Sequence, residues 1–290
     1  YLPYPASITG IPFDAPGTPL MAGLLMRPAN DDLARPTLIM PCGFDSTMES
    51  GYLFTGYMAL QRGYNFFTFE GPGQGGVLRR QNLYFRPDWE KVVIPVVDYA
   101  LTKPEVDPKR LALMGISMGG YLAPRAAAFE PRLAALIANP GVFDLAAGRV
   151  PGQTAADERY PREEIEKNRE QVNQEILQAM KHDISLRWIM NHGMFTFGKK
   201  SPVEFLLAQY DYNLRGVAAG IKCPTLVIDG EDDQFVHGQA RQLFEALTCP
   251  KTFMLFTRPD MASGHCQMGA LAISNQRILD WLDETLSPSR

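Results

Sequence analysis

Two periodicities take turns along this chain. Short apolar runs closed by Gly or Pro read as buried strands, and segments with apolar residues three or four positions apart read as amphipathic helices. "ASITGIPFDAPGTPLMAGLLMRP" opens the chain as short strands broken by turns, and "RPTLIMPCGFDS" is an apolar run entering a turn that contains Gly43. "SGYLFTGYMALQRG" predicts a helix with Leu53, Tyr57 and Leu60 as its stripe and Gly63 as its stop. "YNFFTFEGPGQGG" is a strand running into a glycine-rich loop, and "PDWEKVVIPVVDYALTKP" predicts a helix kinked near Pro95. "RLALMGIS" is a strand followed by a helix, and "LAALIANPGVFD" is a strand again. This rhythm predicts βαβ units: an α/β fold with a mostly parallel, twisted sheet flanked by helices.

The pattern then changes. Residues 145–215 contain no convincing strand. "PREEIEKNREQVNQEILQAMK" predicts one polar amphipathic helix with Pro161 near its first turn and a stripe of Ile165, Val172, Ile176 and Met180. A second helical stretch carries Trp188, Ile189 and Met190, and a third carries Phe205, Leu206 and Leu207. Alternation resumes at "CPTLVIDGEDD", continues through the strand "KTFMLFT" and ends on the helix "QMGALAISNQRILDWLDETL". The organisation expected is therefore a core of residues 1–144 and 216–290, interrupted by a helical cap over residues 145–215.

Composition narrows the functional classes. The 290 residues are 46% hydrophobic and 21% charged, enough for a sizeable core. A net charge of −4, with no basic stripe interleaved with aromatics, argues against nucleic acid as a partner. No apolar run reaches the length of a membrane span, and no secretory pattern is seen at the start, which is Tyr1 rather than Met. Cys42, Cys223, Cys249 and Cys266 form no C-x-x-C pair, which suits free thiols in a reducing, cytoplasmic setting. With four dispersed histidines as well, neither a metal nor a cofactor is expected. A homodimer is left open.

The chemistry is concentrated around Gly115-Ile116-Ser117-Met118-Gly119. A serine hydroxyl becomes a useful nucleophile only with a base in hydrogen-bond reach and donors aimed at the developing oxyanion. A sharp strand-to-helix turn supplies that geometry, and its crowding favours flanking glycines, so the pentapeptide reads as a nucleophile elbow. A serine capping a helix would be the plainer use. The partners then follow in the order acid, His. His265, in the loop between the last strand and last helix, is the candidate base, and His237 is too close to the acids in sequence. Among Asp229, Glu231, Asp232 and Asp233, the last stands clear of the strand end and is the candidate acid, with Asp232 behind it and the other two read as solvated or turn-forming. The backbone N–H groups of Phe44, in "MPCGFDS", and of Met118 are the candidate oxyanion donors. The glycines of "EGPGQGG" lack the Lys-Ser/Thr of a phosphate loop and read as a tight turn at the site's edge. His182 and His192 read as ordinary polar side chains of the cap, with a substrate contact as the alternative.

"PCGFDS", "EGPGQGG", "GISMGGYLAPRAA", "CPTLVIDGEDD" and "GHCQMG" together resemble the α/β-hydrolase superfamily over nearly the whole chain. "GFDST", "FEGPGQG", "SMGGYLAPRAAAFEPR" and "GHCQMGA" resemble a branch holding fungal polyketide-shortening hydrolases of the yellowish-green pigment type and bacterial 2,6-dihydroxypseudooxynicotine hydrolase. The resemblance implies an α/β-hydrolase fold and a Ser-Asp-His triad at Ser117, Asp233 and His265. It also implies cleavage of a carbon–carbon bond beside a ketone. The branch usually carries a helical region ahead of the first strands and a shorter Ser-to-Asp interval, so a more open pocket and an enlarged insertion are expected here. Trp188, Met190, Met194, Phe195, Phe197, Tyr210 and Tyr212 are candidates for an apolar wall over the site, suited to an apolar or aromatic carbonyl substrate. A carboxylesterase, thioesterase or peptidase with the same triad is the alternative, and a noncatalytic binding protein of this fold a lesser one.

Overall fold

A computed structural model describes residues 7–12, 20–147 and 161–286. In chain order the elements begin with β1 (Ser7–Pro12), β2 (Leu20–Met26), β3 (Arg35–Pro41), α1 (Met48–Gly51), a π turn (Tyr52–Gly56), α2 (Tyr57–Gln61) and β4 (Asn65–Phe69). They continue through α3 (Gly75–Gln81), α4 (Glu90–Leu101), β5 (Val106–Ile116), α5 (Gly119–Ala127) and β6 (Ala135–Asn139). Then come α6 (Arg162–Lys167), α7 (Arg169–Ala179), α8 (Ile184–Phe197) and α9 (Pro202–Ala208). The last described elements are β7 (Thr225–Gly230), α10 (Gln239–Ala246), β8 (Lys251–Phe256) and α11 (Leu271–Leu286). Among the described residues eight strands form one sheet in the order β1-β2-β4-β3-β5-β6-β7-β8. β2 is antiparallel to both of its neighbours, and all pairings from β4 to β8 are parallel.

Side-chain alternation along the central strands feeds two cores. Ile39, Phe67, Leu113, Leu136 and Val227 face a layer that includes Val93 and Val97 of α4, Leu122 of α5 and Leu243 of α10. Leu38, Phe66, Met114, Ile137 and Leu226 face the opposite layer, where Leu60 of α2 and Ile278 and Leu282 of α11 pack. With both faces covered, the central parallel strands carry buried apolar runs such as "LALMGI" of β5.

Several local expectations need correction. Leu53 is 73% exposed and Tyr57 45%, so they are not the buried stripe of their helix. The π turn shifts the register, and Gly51, Thr55, Gly56, Ala59 and Leu60 face inward instead. A Cβ at Gly56 would come within 2.5 Å of the Phe66 ring. Small residues thus let the helix lie on Phe66, whose full burial contributes roughly 1.5–3 kcal/mol. The long polar helix is two, α6 and α7, interrupted at Asn168 (φ −107°, ψ 26°), a residue type that favours helix ends. Of its stripe, Ile165 and Met180 are buried and Val172 and Ile176 only half-buried. The last helix begins at Leu271 rather than near Gln267, because Cys266 and Gln267 both take φ +54°. The turn over residues 13–19 lies outside the described residues.

Between β6 and β7 the described residues form helices and 3-10 turns, with one isolated bridge pairing Asp144 with Asn213. Leu145 N–H donates to the Tyr212 carbonyl (2.9 Å) and Leu214 N–H to that of Phe143 (2.8 Å), closing the neck of this excursion. Residues 148–160 of the excursion lie outside the described residues. No helix among the described residues is long and apolar enough to cross a membrane.

Candidate active site

β3, β5, β7 and β8 all end on the same edge of the sheet, where loops after parallel strands commonly build sites. β5 finishes at Ile116, and Ser117 turns the chain with φ +59°, a left-handed conformation costing an ordinary residue roughly 1–3 kcal/mol. Ser117 N–H donates to the Asn139 carbonyl (2.8 Å), and Gly120 N–H donates to the Ser117 carbonyl (2.8 Å) as α5 begins. The turn closes on itself. A Cβ at Gly115 would lie 1.9 Å from the Gly119 carbonyl oxygen, and one at Gly120 would lie 1.8 Å from that of Pro140. Gly119 itself has room: the nearest atom to an added Cβ is the Cys42 carbonyl oxygen at 3.9 Å. The crowding expected at both flanking glycines therefore falls on Gly115, and on Gly120 further along.

Asp233 follows β7 in a turn closed by its own N–H to the Gly230 carbonyl (3.0 Å). Its Oδ1 accepts from the N–H groups of Phe235 (2.8 Å) and Val236 (3.2 Å), and its Oδ2 lies 2.7 Å from His265 Nδ1. Burial pushes this carboxyl up, but the His265 hydrogen bond and charge and the two amides outweigh it, so it sits below the ordinary carboxylate value. An ionised Asp233 accepts a proton-bearing Nδ1–H, which leaves His265 Nε2 as the acceptor side of the ring. His265 Nε2 is 3.0 Å from Ser117 Oγ. The His265 loop is tied to the acid loop through Asp232 N–H, which donates to the Ser263 carbonyl (2.9 Å), and the ring packs edge-on against Phe235 (centroids 4.8 Å apart).

The other carboxylates sit elsewhere. Asp232 pairs with the Arg258 guanidinium, and Glu231 accepts from Arg258 N–H. Asp229 is neither solvated nor in a turn. It lies within β7, where burial and the neighbouring Asp233 charge push its carboxyl up to about 6. His237 and His182 are exposed. His192 Nε2 donates to the Phe44 carbonyl (3.0 Å) and does not line the cavity described next.

Ser117 and His265 open onto a cavity of about 540 Å³ that Phe44 and Met118 also line. Among the described residues, neither the Phe44 nor the Met118 N–H donates to a protein acceptor. Trp188, Met190 and Phe197 line the cavity; Met194, Phe195, Tyr210 and Tyr212 do not. Phe195 is 49% exposed beside Arg79, Tyr210 packs with Ile165, Val203 and Leu207, and Tyr212 is sandwiched between Tyr121 and Phe197. Met194 packs onto the main core. Walls that sequence reasoning missed include Leu186, Ile189, Phe205, Leu206 and Gln209 from α8, α9 and the turn after it, and Phe235 and Val236 beside Asp233. The spacing of Leu186, Ile189, Met190 and Phe197 along α8 was the available signal. No group of three His, Cys, Asp or Glu side chains able to hold a metal occurs among the described residues.

Residues 54–289 match the prolyl oligopeptidase family. The chain belongs to this family. It is an α/β-hydrolase by sequence and by fold. Hydrolase LUC6 from Fusarium is 33% identical over 277 residues, covering 88% of this chain and 63% of its own length. The 20-hydroxy-prefusarin hydrolase FUS2 from Gibberella moniliformis is 33% identical over 269 residues, with the same two coverages. The chain thus spans about three fifths of the length of these relatives. The crystal structure of the 2,6-dihydroxy-pseudo-oxynicotine hydrolase shares the fold, with a TM-score of 0.74 at 22% identity over 98% of this chain and 68% of that one.

Proposed function

We propose that the chain is a serine hydrolase in which Ser117 is the nucleophile, His265 the general base and Asp233 the residue that orients and charge-stabilises the imidazole. The observation that carries this reading is the unbroken relay from Ser117 Oγ through His265 to the buried Asp233 carboxylate, at 3.0 and 2.7 Å. The Phe44 and Met118 N–H groups are the oxyanion donors, and the helices of residues 145–215 act as a cap whose apolar surface takes an aromatic or polyketide-like ketone.

The reaction proposed is retro-Claisen cleavage. Ser117 Oγ attacks the ketone carbon while its proton passes to His265 Nε2, and the carbonyl π electrons move onto the oxygen held by the two amides. Collapse of the tetrahedral adduct breaks the carbon–carbon bond, and the electron pair leaves as an enolate delocalised onto the neighbouring carbonyl. His265 returns the proton to that fragment. Water, deprotonated by His265, then releases the acyl group from Ser117. The resemblance of the site motifs to the carbon–carbon hydrolase branch supports this bond choice, as do the apolar walls contributed by α8 and α9.

Membership of the prolyl oligopeptidase family favours a second reading, hydrolysis of an ester or amide by the same groups. A panel of p-nitrophenyl esters, acyl thioesters and aryl 1,3-diketones separates the two. Turnover of diketones above the ester background supports carbon–carbon cleavage, and fast ester turnover with inert diketones overturns it. The four free thiols, with Cys42 and Cys266 buried, support a reducing, cytoplasmic setting.

A further inference from the structure

The glycine-rich loop "EGPGQGG" and the cap histidine His192 have no part in the relay, yet both converge on the segment that carries the Phe44 amide. Gln74 is 2% exposed, and its side-chain amide is held within its own loop, where Oε1 accepts from Gly71 N–H (2.8 Å). Its Nε2 donates to two consecutive carbonyls, those of Cys42 (2.5 Å) and Gly43 (3.2 Å). The second contact is the informative one. The Gly43 C=O and the Phe44 N–H belong to one planar trans peptide and point in opposite directions. Holding that carbonyl from below fixes the direction of the N–H, and a hydrogen bond to the carbonyl polarises the N–H as a donor. The Gly43 segment also lies directly against the Ser117 turn: a Cβ at Gly43 would come 3.0 Å from the Ile116 carbonyl oxygen and 3.4 Å from Ser117 Cβ.

The next peptide is held from the cap. His192 Nε2–H donates to the Phe44 carbonyl at 3.0 Å, and its ring meets the Phe44 ring edge-on (4.7 Å) while stacking on Trp188 (5.6 Å, 8° between planes). The Phe44 ring is further surrounded by Phe85, Phe197 and Phe205. α8 therefore reaches down to Phe44, the residue next to the Gly43 carbonyl that Gln74 holds from the core.

We infer that Gln74 and His192 are positioning residues for the Phe44 oxyanion donor, Gln74 by orienting the Gly43–Phe44 peptide and His192 by locking the following one to the cap. This rests on Ser117 being the nucleophile. It makes the cap part of the machinery for the chemical step, beyond its part in enclosing substrate. Removing one oxyanion donor outright lowers kcat by about 10²–10³-fold, so misaligning one is expected to cost about 10–100-fold.

The test uses the full chain with p-nitrophenyl acetate as substrate and phenylboronic acid as a tetrahedral-adduct inhibitor, on Gln74→Met, His192→Phe and His192→Gln. Gln74→Met keeps the length and loses the amide; His192→Phe keeps the ring stack and loses the donor; His192→Gln restores a donor. The expected result is a kcat lowered by about 10–100-fold in the Met and Phe variants with KM within about twofold, a parallel loss of boronate affinity, and His192→Gln returning to within about threefold of the parent. Unchanged kcat, a loss confined to KM, boronate affinity that does not follow kcat, or a Gln variant no better than Phe would each overturn the inference. Should Gln74→Met fail to fold by circular dichroism, the two His192 variants decide. A parent chain that neither turns over the ester nor reacts at Ser117 with a fluorophosphonate sinks the hydrolase reading itself, a failure distinct from unaffected variants of an active parent.

Discussion

The two glycines flanking Ser117 look equivalent in sequence, and the structure makes them unequal. An alanine Cβ at Gly115 would sit 1.9 Å from the Gly119 carbonyl oxygen and 2.3 Å from its carbon, both backbone atoms of the turn. Ordinary carbon–oxygen contact needs more than 3 Å, so one strand of the elbow must move by over 1 Å. Such overpacking costs about 1–3 kcal/mol or more. A displacement of that size at the proposed nucleophile costs about 10²-fold in rate. At Gly119 the same Cβ has 3.9 Å to its nearest neighbour, and the position begins α5, where replacing glycine by alanine gains about 0.5–1 kcal/mol. Gly115→Ala should therefore lower the urea midpoint and kcat/KM for p-nitrophenyl acetate by about 10²-fold, while Gly119→Ala should leave the rate within about threefold and match or exceed the parent's stability. The assays are urea denaturation followed by circular dichroism and ester turnover on the same preparations. Equal damage from the two substitutions, or a harmless Gly115→Ala, would refute the packing account of the elbow.

Three further outcomes follow from the electrostatics and the cavity. Asp233→Asn should reduce kcat/KM by about 10³–10⁴-fold in a folded protein, because an amide favours the wrong imidazole tautomer, whereas Asp232→Asn, whose carboxylate bonds Arg258 and Ser263 and not His265, should stay near the parent in the same ester assay. Asp229 has its carboxyl pushed up to about 6 by burial and then by Asp233, so its contribution to stability is full below the ordinary value near 4 and is lost as pH rises through about 6. Asp229→Asn should remove that term, giving a smaller drop in melting temperature between pH 5 and 7.5 than the parent shows; an identical drop would count against it. Phe205→Ala, which enlarges the cavity near α9, should weaken binding of aromatic substrates more than of acetyl esters, read as a change in the ratio of their KM values.

How much of this was legible in the sequence depends on the length scale of each feature. The alternation of strands and helices was legible because burial on both faces leaves continuous apolar runs such as "LALMGI", and a helix can hardly imitate them beside a Gly-x-Ser-x-Gly turn. Ser117, Asp233 and His265 could be nominated because each lies in the segment that follows a parallel strand, and the fold brings those segments to one edge. Of the expected stripe Leu60 is buried, while Leu53 and Tyr57 misled because a π turn changes the helical period by one residue, an event with no local signature. α3 and α10, of seven and eight residues, were not foreseen. The cavity wall was only partly legible. Phe197 and Phe195 are nearly adjacent and chemically alike, yet one lines the cavity and the other faces Arg79, a difference set by how α8 is rotated against the body. Gln74 was hidden for another reason: its work is done by hydrogen bonds to backbone carbonyls, and these leave no pattern of residue types.

The most direct test of the account is to react the protein with a fluorophosphonate under native conditions and map the adduct by peptide mass spectrometry, beside Ser117→Ala and His265→Gln. The relay described above predicts a single adduct on Ser117 in the parent, none in Ser117→Ala and a labelling rate reduced by about 10³-fold or more in His265→Gln. An unlabelled but folded parent, or an adduct carried by a different serine, would contradict it.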